Sequence, residues 1–275
     1  MGALHEGHCS LVKQSIMEND HTVVSIFVNP SQFAPHEDLQ SYPKTLLKDM
    51  ELLAARFPNK PVDAVFVPTV SEMYPSGITL DVGNQRGAFV LVLGCSEQLE
   101  GVTRPQFFRG VATVVSKLLN IVTPDKIYFG QKDAQQCVVI KNMVKDLLID
   151  TEVRVLPTTR EESGLAMSSR NQYLSPESKQ HSAAIYRGLN AGEIFYYSQN
   201  GPTKSTDILD KVRSIYNQEE KSRFELEYLS LNHPETLDKL DIVTPGEGAI
   251  MSTAVKVPRA DGSGQARLID NVVLK

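Results

Sequence analysis

The sequence predicts an α/β protein: a parallel sheet wound with helices, followed by a smaller α+β domain. Three observations carry that expectation. The nearly continuous apolar run His21–Val28 suits a strand covered on both faces, and Val62–Pro68 reads as the next strand. Strand, loop and helix then recur in order, which implies right-handed βαβ units. From Pro176 the pattern changes to helical stretches followed by alternating runs, the mark of antiparallel strands with one wet face. A boundary near Ser175 gives expected domains at 1–175 and 176–275.

The chain opens with Met1-Gly2-Ala3-Leu4-His5-Glu6-Gly7-His8, followed by the helix-like run Cys9–Ile16. If Gly7 marks a turn into that helix, His5 and His8 share one face of its first turn. Free backbone N–H groups there favour an anion, usually a phosphate. Taken alone, the pair reads more readily as one histidine capping or packing and the other solvated. The first strand, His21–Val28, ends in Asn29-Pro30-Ser31-Gln32-Phe33, polar groups at the C-terminal sheet edge where ligands bind in open α/β sheets. Asn29 fits turn chemistry; Gln32 is not a turn former.

Pro43 is placed to open a helix whose stripe is Leu46, Leu47, Met50, Leu53, Ala54 and Phe57. Lys48, Asp49 and Glu51 fall off that stripe and read as solvated charges. Residues 72–109 form a long, glycine-punctuated, irregular region, of the kind that serves as a lid or binding loop. A helix over 110–122 and a strand at Lys126–Phe129 follow, then Gly130-Gln131-Lys132-Asp133. The next helix carries Gln135 and Gln136 in its first turn, and Val153–Leu156 is another strand. The loop Gly164–Asn171 is small and hydroxyl-rich, with one arginine. Helices over 176–197 and 203–220 then precede strands over 224–231, 249–257 and 267–274.

With 275 residues, 41% hydrophobic and 22% charged, the chain has the makings of an ordinary soluble globular protein. A net charge of -5 argues against a partner gripped through its backbone charge, nucleic acid or anionic membrane. Any hold on phosphate must be local. No run approaches the ~20 apolar residues of a membrane helix, and the N-terminus lacks the basic lead and apolar core of a secretory signal. Cys9, Cys95 and Cys137 are scattered, pair into no zinc motif, and suggest reduced thiols in the cytoplasm.

Five motifs together resemble a known family. They are Met1–His8, Val28-Asn29-Pro30-Ser31-Gln32-Phe33, Phe108–Thr113, Gly130–Asp133 with Gln136, and Met167-Ser168-Ser169-Arg170-Asn171. An H-x-G-H stretch entering a helix with a late Met-Ser-Ser-Arg loop is similar to the nucleotidyltransferase superfamily that includes class I aminoacyl-tRNA synthetases. The further motifs, in order and in register from Met1 to about Leu174, identify the chain as similar to the pantothenate synthetase (pantoate–β-alanine ligase) family. The form Arg104–Arg109, with Gln106-Phe107 where many members have Gly-His, resembles fungal members.

That resemblance implies a Rossmann-like doubly wound parallel sheet with a smaller α+β C-terminal domain. Members carry a preceding, central strand ending at the first motif; it is expected to be missing from this chain, leaving neighbouring strands with open edges. The implied activity is ATP-dependent joining of pantoate and β-alanine through a pantoyl-adenylate, with Mg2+ and a homodimer. By motif, Met1, Gly2, Ala3, Leu4, His5, Glu6, Gly7 and His8 would hold ATP, with His8 donating a proton and His5 beside it on the phosphates. Gly130, Gln131, Lys132, Asp133, Thr159, Met167, Ser168, Ser169 and Arg170 would complete the nucleotide site. Gln32 and Gln136 would bind pantoate, Gln32 reaching β-alanine as well, and Asp49 would contact magnesium.

The residue chemistry agrees with the resemblance. Attack of a carboxylate on the α-phosphorus shifts negative charge to pyrophosphate, which calls for preorganised cations and donors rather than a protein nucleophile. His5, His8, Lys132, Arg170, Ser168 and Ser169 are groups of that kind. Two other classes of function stay open at this point: another nucleotidyltransferase of the superfamily, and a truncated, inactive remnant acting only in dimerisation.

Overall fold

The computed structural model describes residues 3–34, 39, 42 and 45–275. Met1, Gly2 and the helix-opening role expected of Pro43 lie outside the described residues. The chain forms two compact units, Met1–Gly130 with Gln135–Leu156, and Gln131–Ala134 with Pro157–Lys275. Relative to the expected boundary at 175/176, Pro157–Ser175 and the short Gln131–Ala134 turn group with the second unit.

The first unit runs α1 (Glu6–Glu18), β1 (Val23–Ser25), α2 (Leu46–Arg56), β2 (Ala64–Phe66), α3 (Val70–Met73), α4 (Glu100–Thr103), α5 (Phe107–Val122), β3 (Lys126–Gly130), α6 (Ala134–Asp146) and β4 (Glu152–Leu156). It is the expected alternation of strands and helices. β1 pairs parallel with β2, Val23 opposite Ala64, and β3 pairs parallel with β4, Lys126 opposite Glu152. The sheet is thus present as two parallel pairs, with no ladder joining them among the described residues. Val12, Val24, Ile26 and Leu53 pack together from α1, from β1 and the residue after it, and from α2. α5 is buried through Val111, Ala112, Val114, Val115 and Leu119. It stops at Thr123, whose left-handed φ of 45° is followed by Pro124, a residue that cannot continue a helix.

α2 departs from its expected pattern. Leu46, Leu47 and Met50 are exposed, whereas Asp49 and Leu53 face inward. The reason is polar: Asp49 accepts a backbone hydrogen bond from the segment before α1, and that turns the helix. Residues 72–109 also hold more structure than a loop. α3 is opened by a Thr69–Glu72 capping box, Val82–Asn84 is a 3-10 turn, and α5 begins at Phe107, three residues earlier than expected.

The second unit contains α7 (Pro176–Ser182), α8 (Ala184–Tyr197), β5 (Thr203–Lys204), α9 (Ser205–Tyr216), β6 (Glu225–Asn232), β7 (Ile242–Val243), β8 (Ala249–Pro258) and β9 (Gln265–Leu274). Ser175 caps α7 by accepting from the Ser178 N–H, with Pro176 in the first turn. The antiparallel sheet has the order β6-β8-β9. Here β8 does not show the wet face expected of it: it is the central strand, and both its faces are covered almost throughout. Ile185, Leu189, Ile208, Val212, Leu231 and Met251 lie in the core that α8 and α9 make with this sheet.

Candidate functional site

The first motif folds as a helix start, two residues earlier than Gly7 suggests. His5 is the N-cap of α1 and His8 its third residue, so Gly7 lies within the first turn. Nδ1 of His5 accepts the Gly7 N–H at 3.1 Å, and Nδ1 of His8 accepts the His5 N–H at 3.3 Å. The rings lie 4.0 Å apart, tilted by 35°. An Nδ1 that accepts carries no proton, so each neutral ring keeps its hydrogen on Nε2. The cap therefore occupies one edge of each histidine and sets an Nε2–H donor on the other. Both rings are half-buried, so neither is simply solvated.

Asp49 stands beside this pair. Its Oδ1 accepts from the Leu4 N–H at 2.8 Å and the Thr45 hydroxyl at 3.0 Å. Its Oδ2 is buried with no hydrogen-bond partner among the described residues. The residue is only 2% exposed, which corrects its reading as a solvated charge. A buried carboxylate oxygen without a donor is costly unless a cation or a ligand satisfies it. Among the described residues no cluster of three or more His, Cys, Asp or Glu is placed to hold a metal. Magnesium commonly takes one or two carboxylates and fills its shell with phosphate oxygens and water, so a single oxygen fits it.

The turn after β1 is built around Asn29, which caps the 3-10 turn Pro30–Gln32. Its Oδ1 accepts from the Ser31 hydroxyl at 3.1 Å and the Tyr74 hydroxyl at 2.6 Å. Its Nδ2 donates to Gln32 Oε1 at 2.9 Å and to the Gly110 carbonyl at 3.1 Å. Burial pushes the Tyr74 hydroxyl's pKa up, so it keeps the proton it donates. Gln32 consequently has its acceptor engaged, and its Nε2 hydrogens have no partner among the described residues. Gly110 is required here: a Cβ on it would lie 2.3 Å from the Ser31 carbonyl oxygen.

The two glutamines of α6 differ. Gln136 is half-buried and its amide bonds to nothing else among the described residues. Gln135 is 6% exposed and fully hydrogen-bonded to backbone, a structural residue that the sequence did not separate from its neighbour.

In the second unit, Lys132 is mostly buried, with Nζ 3.5 Å from Asp133 Oδ1. Its turn is gripped by Asn271 of β9, whose Nδ2 donates to the Gln131 carbonyl at 2.8 Å and the Lys132 carbonyl at 2.9 Å. Gln131 Nε2 returns a bond to Asn271 Oδ1 at 3.0 Å. Next in sequence, Asp270 forms a two-pronged pair with Arg160 at 2.5 and 3.1 Å. Burial raises the Asp270 carboxyl's pKa, and the Arg160 guanidinium pulls it back down. Thr159 and Met167 meet directly, the Met167 N–H donating to the Thr159 carbonyl at 2.9 Å. Ser168 caps the 3-10 turn Ser169–Tyr173 by accepting from the Arg170 N–H. Arg170 is half-buried and has no ion-pair partner among the described residues. Asn29 is the turn former that the sequence suggests, whereas Tyr74, Gln135, Arg160, Asp270 and Asn271 are supporting residues that sequence reasoning missed as such.

A sequence profile of the family described as pantoate-beta-alanine ligase matches residues 1–273. A relative in Saccharomyces cerevisiae named pantoate–β-alanine ligase is 49% identical over 281 residues, spanning 100% of this chain and 90% of its own. A pantothenate synthetase of Chloroflexus aggregans is 46% identical over 275 residues, covering 100% of this chain and 91% of the relative. Among solved structures, pantothenate synthetase from Thermus thermophilus superposes with a TM-score of 0.86 at 40% identity, over 99% of this chain and 90% of that one. The Francisella tularensis pantoate-beta-alanine ligase, complexed with beta-gamma ATP and β-alanine, matches with a TM-score of 0.72 at 34% identity, over 99% of this chain and 87% of that one. The chain belongs to the pantoate–β-alanine ligase family.

Proposed function

We infer that this chain joins pantoate to β-alanine at the expense of ATP, by way of a pantoyl-adenylate, with release of pyrophosphate and AMP. The observation that carries the reading is the His5–His8 pair, locked by its own helix cap with the Nε2–H donors on the opposite ring edges, in a chain of this family. In the first step a pantoate carboxylate oxygen attacks the α-phosphorus, and the bond to pyrophosphate breaks. Nε2–H of His8, with His5 beside it, donates to the phosphate oxygens as charge builds there. Lys132 and Arg170 add cationic charge, and the Ser168 and Ser169 hydroxyls and the Thr159 backbone hold the nucleotide, as do Ala3, Leu4, Glu6, Gly7, Gly130, Gln131, Met167, Asp133 and, outside the described residues, Met1 and Gly2. Gln32 and Gln136 fix the pantoate oxygens with neutral amides. In the second step the β-alanine amine attacks the acyl carbonyl, AMP departs, and the amine's proton passes to solvent.

Asp49 Oδ2 would hold magnesium, which when bound neutralises charge on the phosphates. We place the enzyme in the cytoplasm, in keeping with its unbridged cysteines, and as a homodimer. Leu91, Leu93 and Val102 are exposed on the first unit, apolar surface of the sort that self-association buries. Among the described residues no helix is long and apolar enough to cross a membrane. The purified chain, supplied with Mg-ATP, should release pyrophosphate only with pantoate present and form pantothenate only when β-alanine is added. Pyrophosphate release indifferent to pantoate would instead favour another nucleotidyltransferase activity.

A further inference from the structure

Gln135 sits inside a folded-back loop and fills its polar needs. Nε2 donates to the Cys95 carbonyl at 3.0 Å and the Gln98 carbonyl at 2.7 Å, and Oε1 accepts the Glu100 N–H at 3.0 Å. That loop is tight: a Cβ on Gly101 would fall 1.9 Å from the Ser96 carbonyl oxygen. Leu99 adopts φ 51°, ψ -115°, a conformation that a leucine holds only where its surroundings impose it. α4 starts at Glu100 with no side-chain cap of its own, so Gln135, from another helix, serves this buried, otherwise uncapped end.

α4 is one turn long and leads to Arg104. The Arg104 guanidinium donates to the Gln32 carbonyl at 3.0 Å and lies 4.0 Å over the Phe107 ring. Gln135 therefore ties the helix that carries Gln136 to the turn that carries Gln32, through one loop and one arginine. We propose that Gln135 is a positioning residue for pantoate, setting the spacing between the Gln32 and Gln136 amides. The inference rests on the reading of those two amides as the pantoate site. It makes Gln135 a determinant of acid-substrate selection without contact to the substrate, and leaves the nucleotide half of the site independent of it.

The test is the kinetics of Gln135→Met, which keeps side-chain length and removes the hydrogen bonds, of Arg104→Lys at the far end of the relay, and of the double variant. The pantoate KM should rise about tenfold in each single variant, with the ATP KM within about twofold of wild type. The double variant should be little worse than either single, because both break one connection. Parallel rises in both KM values, an unchanged pantoate KM, or fully additive effects would overturn the proposal. Should Gln135→Met fail to fold, Arg104→Lys decides alone: a selective pantoate effect supports the relay and its absence refutes it. Gln136→Ala is run alongside. A selective pantoate defect there with none in Gln135→Met rejects the relay while keeping the site, and no defect in Gln136→Ala rejects the site and the relay together.

Discussion

The N-terminus of α1 and the Gln131–Asp133 turn both offer candidate phosphate-binding groups, and they are held in opposite ways. His5 and His8 are tied by hydrogen bonds spanning two or three residues at the helix start, with Asp49 the more distant support through the Leu4 N–H. Lys132 is fixed by Asn271, 139 residues along the chain, with a buried Arg160–Asp270 pair behind it. A locally held site tolerates change elsewhere in the chain. A remotely held one transmits any disturbance of β9 to a cationic side chain. Gln32 falls between, its turn made locally by Asn29 but pinned by Tyr74 and Arg104 from distant segments.

The largest effect should come from the local scaffold's chemistry. His8→Ala is expected to lower turnover by roughly 10²–10⁴-fold with the melting temperature nearly unchanged, because the His5 cap on Gly7 remains. Single-turnover adenylation checks this, and near-normal rates would remove His8 from the mechanism. The remote scaffold is tested by Asn271→Asp, which keeps shape, loses both donors and sets a carboxylate oxygen against two carbonyls. Turnover should fall by about tenfold to a hundredfold, the scale of an ångström of misplacement. Unimpaired turnover would mean the turn is held without Asn271.

Smaller effects refine the contrast. Tyr74→Phe deletes the hydroxyl bonded to Asn29 at 2.6 Å and to Ser31 at 2.7 Å. It should cost about 1 kcal/mol in chemical denaturation, and equal stability would show the Asn29 network to be self-sufficient. At the other end of α1, Glu18 is bonded by Gln14, Tyr128 and Arg154, and hydrogen bonds from the first two hold its pKa at about 2, below the ordinary 4.5. A carboxyl with a lowered pKa stabilises the fold above its ordinary value, and that stability is lost as pH falls from 4.5 toward 2. The melting-temperature advantage of wild type over Glu18→Gln should therefore shrink across that window, and a constant gap would assign the stabilisation to shape alone.

The same division explains what could be read from the sequence. The H-x-G-H spacing, the apolar face of α5 and the positions of the C-terminal strands are local patterns, and they appear in the structure close to where periodicity puts them, although β8, as the central strand, is covered on both faces instead of alternating. Asp49 was illegible because its burial depends on the Leu4 N–H, 45 positions away, and the same bond leaves Leu47 in solvent. Gln135 and Gln136 look alike in sequence; only the fold of residues 95–100 makes one structural, while the other's amide has no partner among the described residues. Asn271 sits in an ordinary strand, and nothing near it hints at a turn formed by residues 131–133.

The most direct test of the mechanism is the fate of a pantoate carboxylate oxygen. With heavy-oxygen-labelled pantoate, Mg-ATP and β-alanine, the adenylate route predicts one labelled oxygen in the AMP released and none in pyrophosphate. Unlabelled AMP accompanying pantothenate formation would contradict attack of the carboxylate on the α-phosphorus, and with it the roles assigned to His5, His8, Lys132 and Arg170.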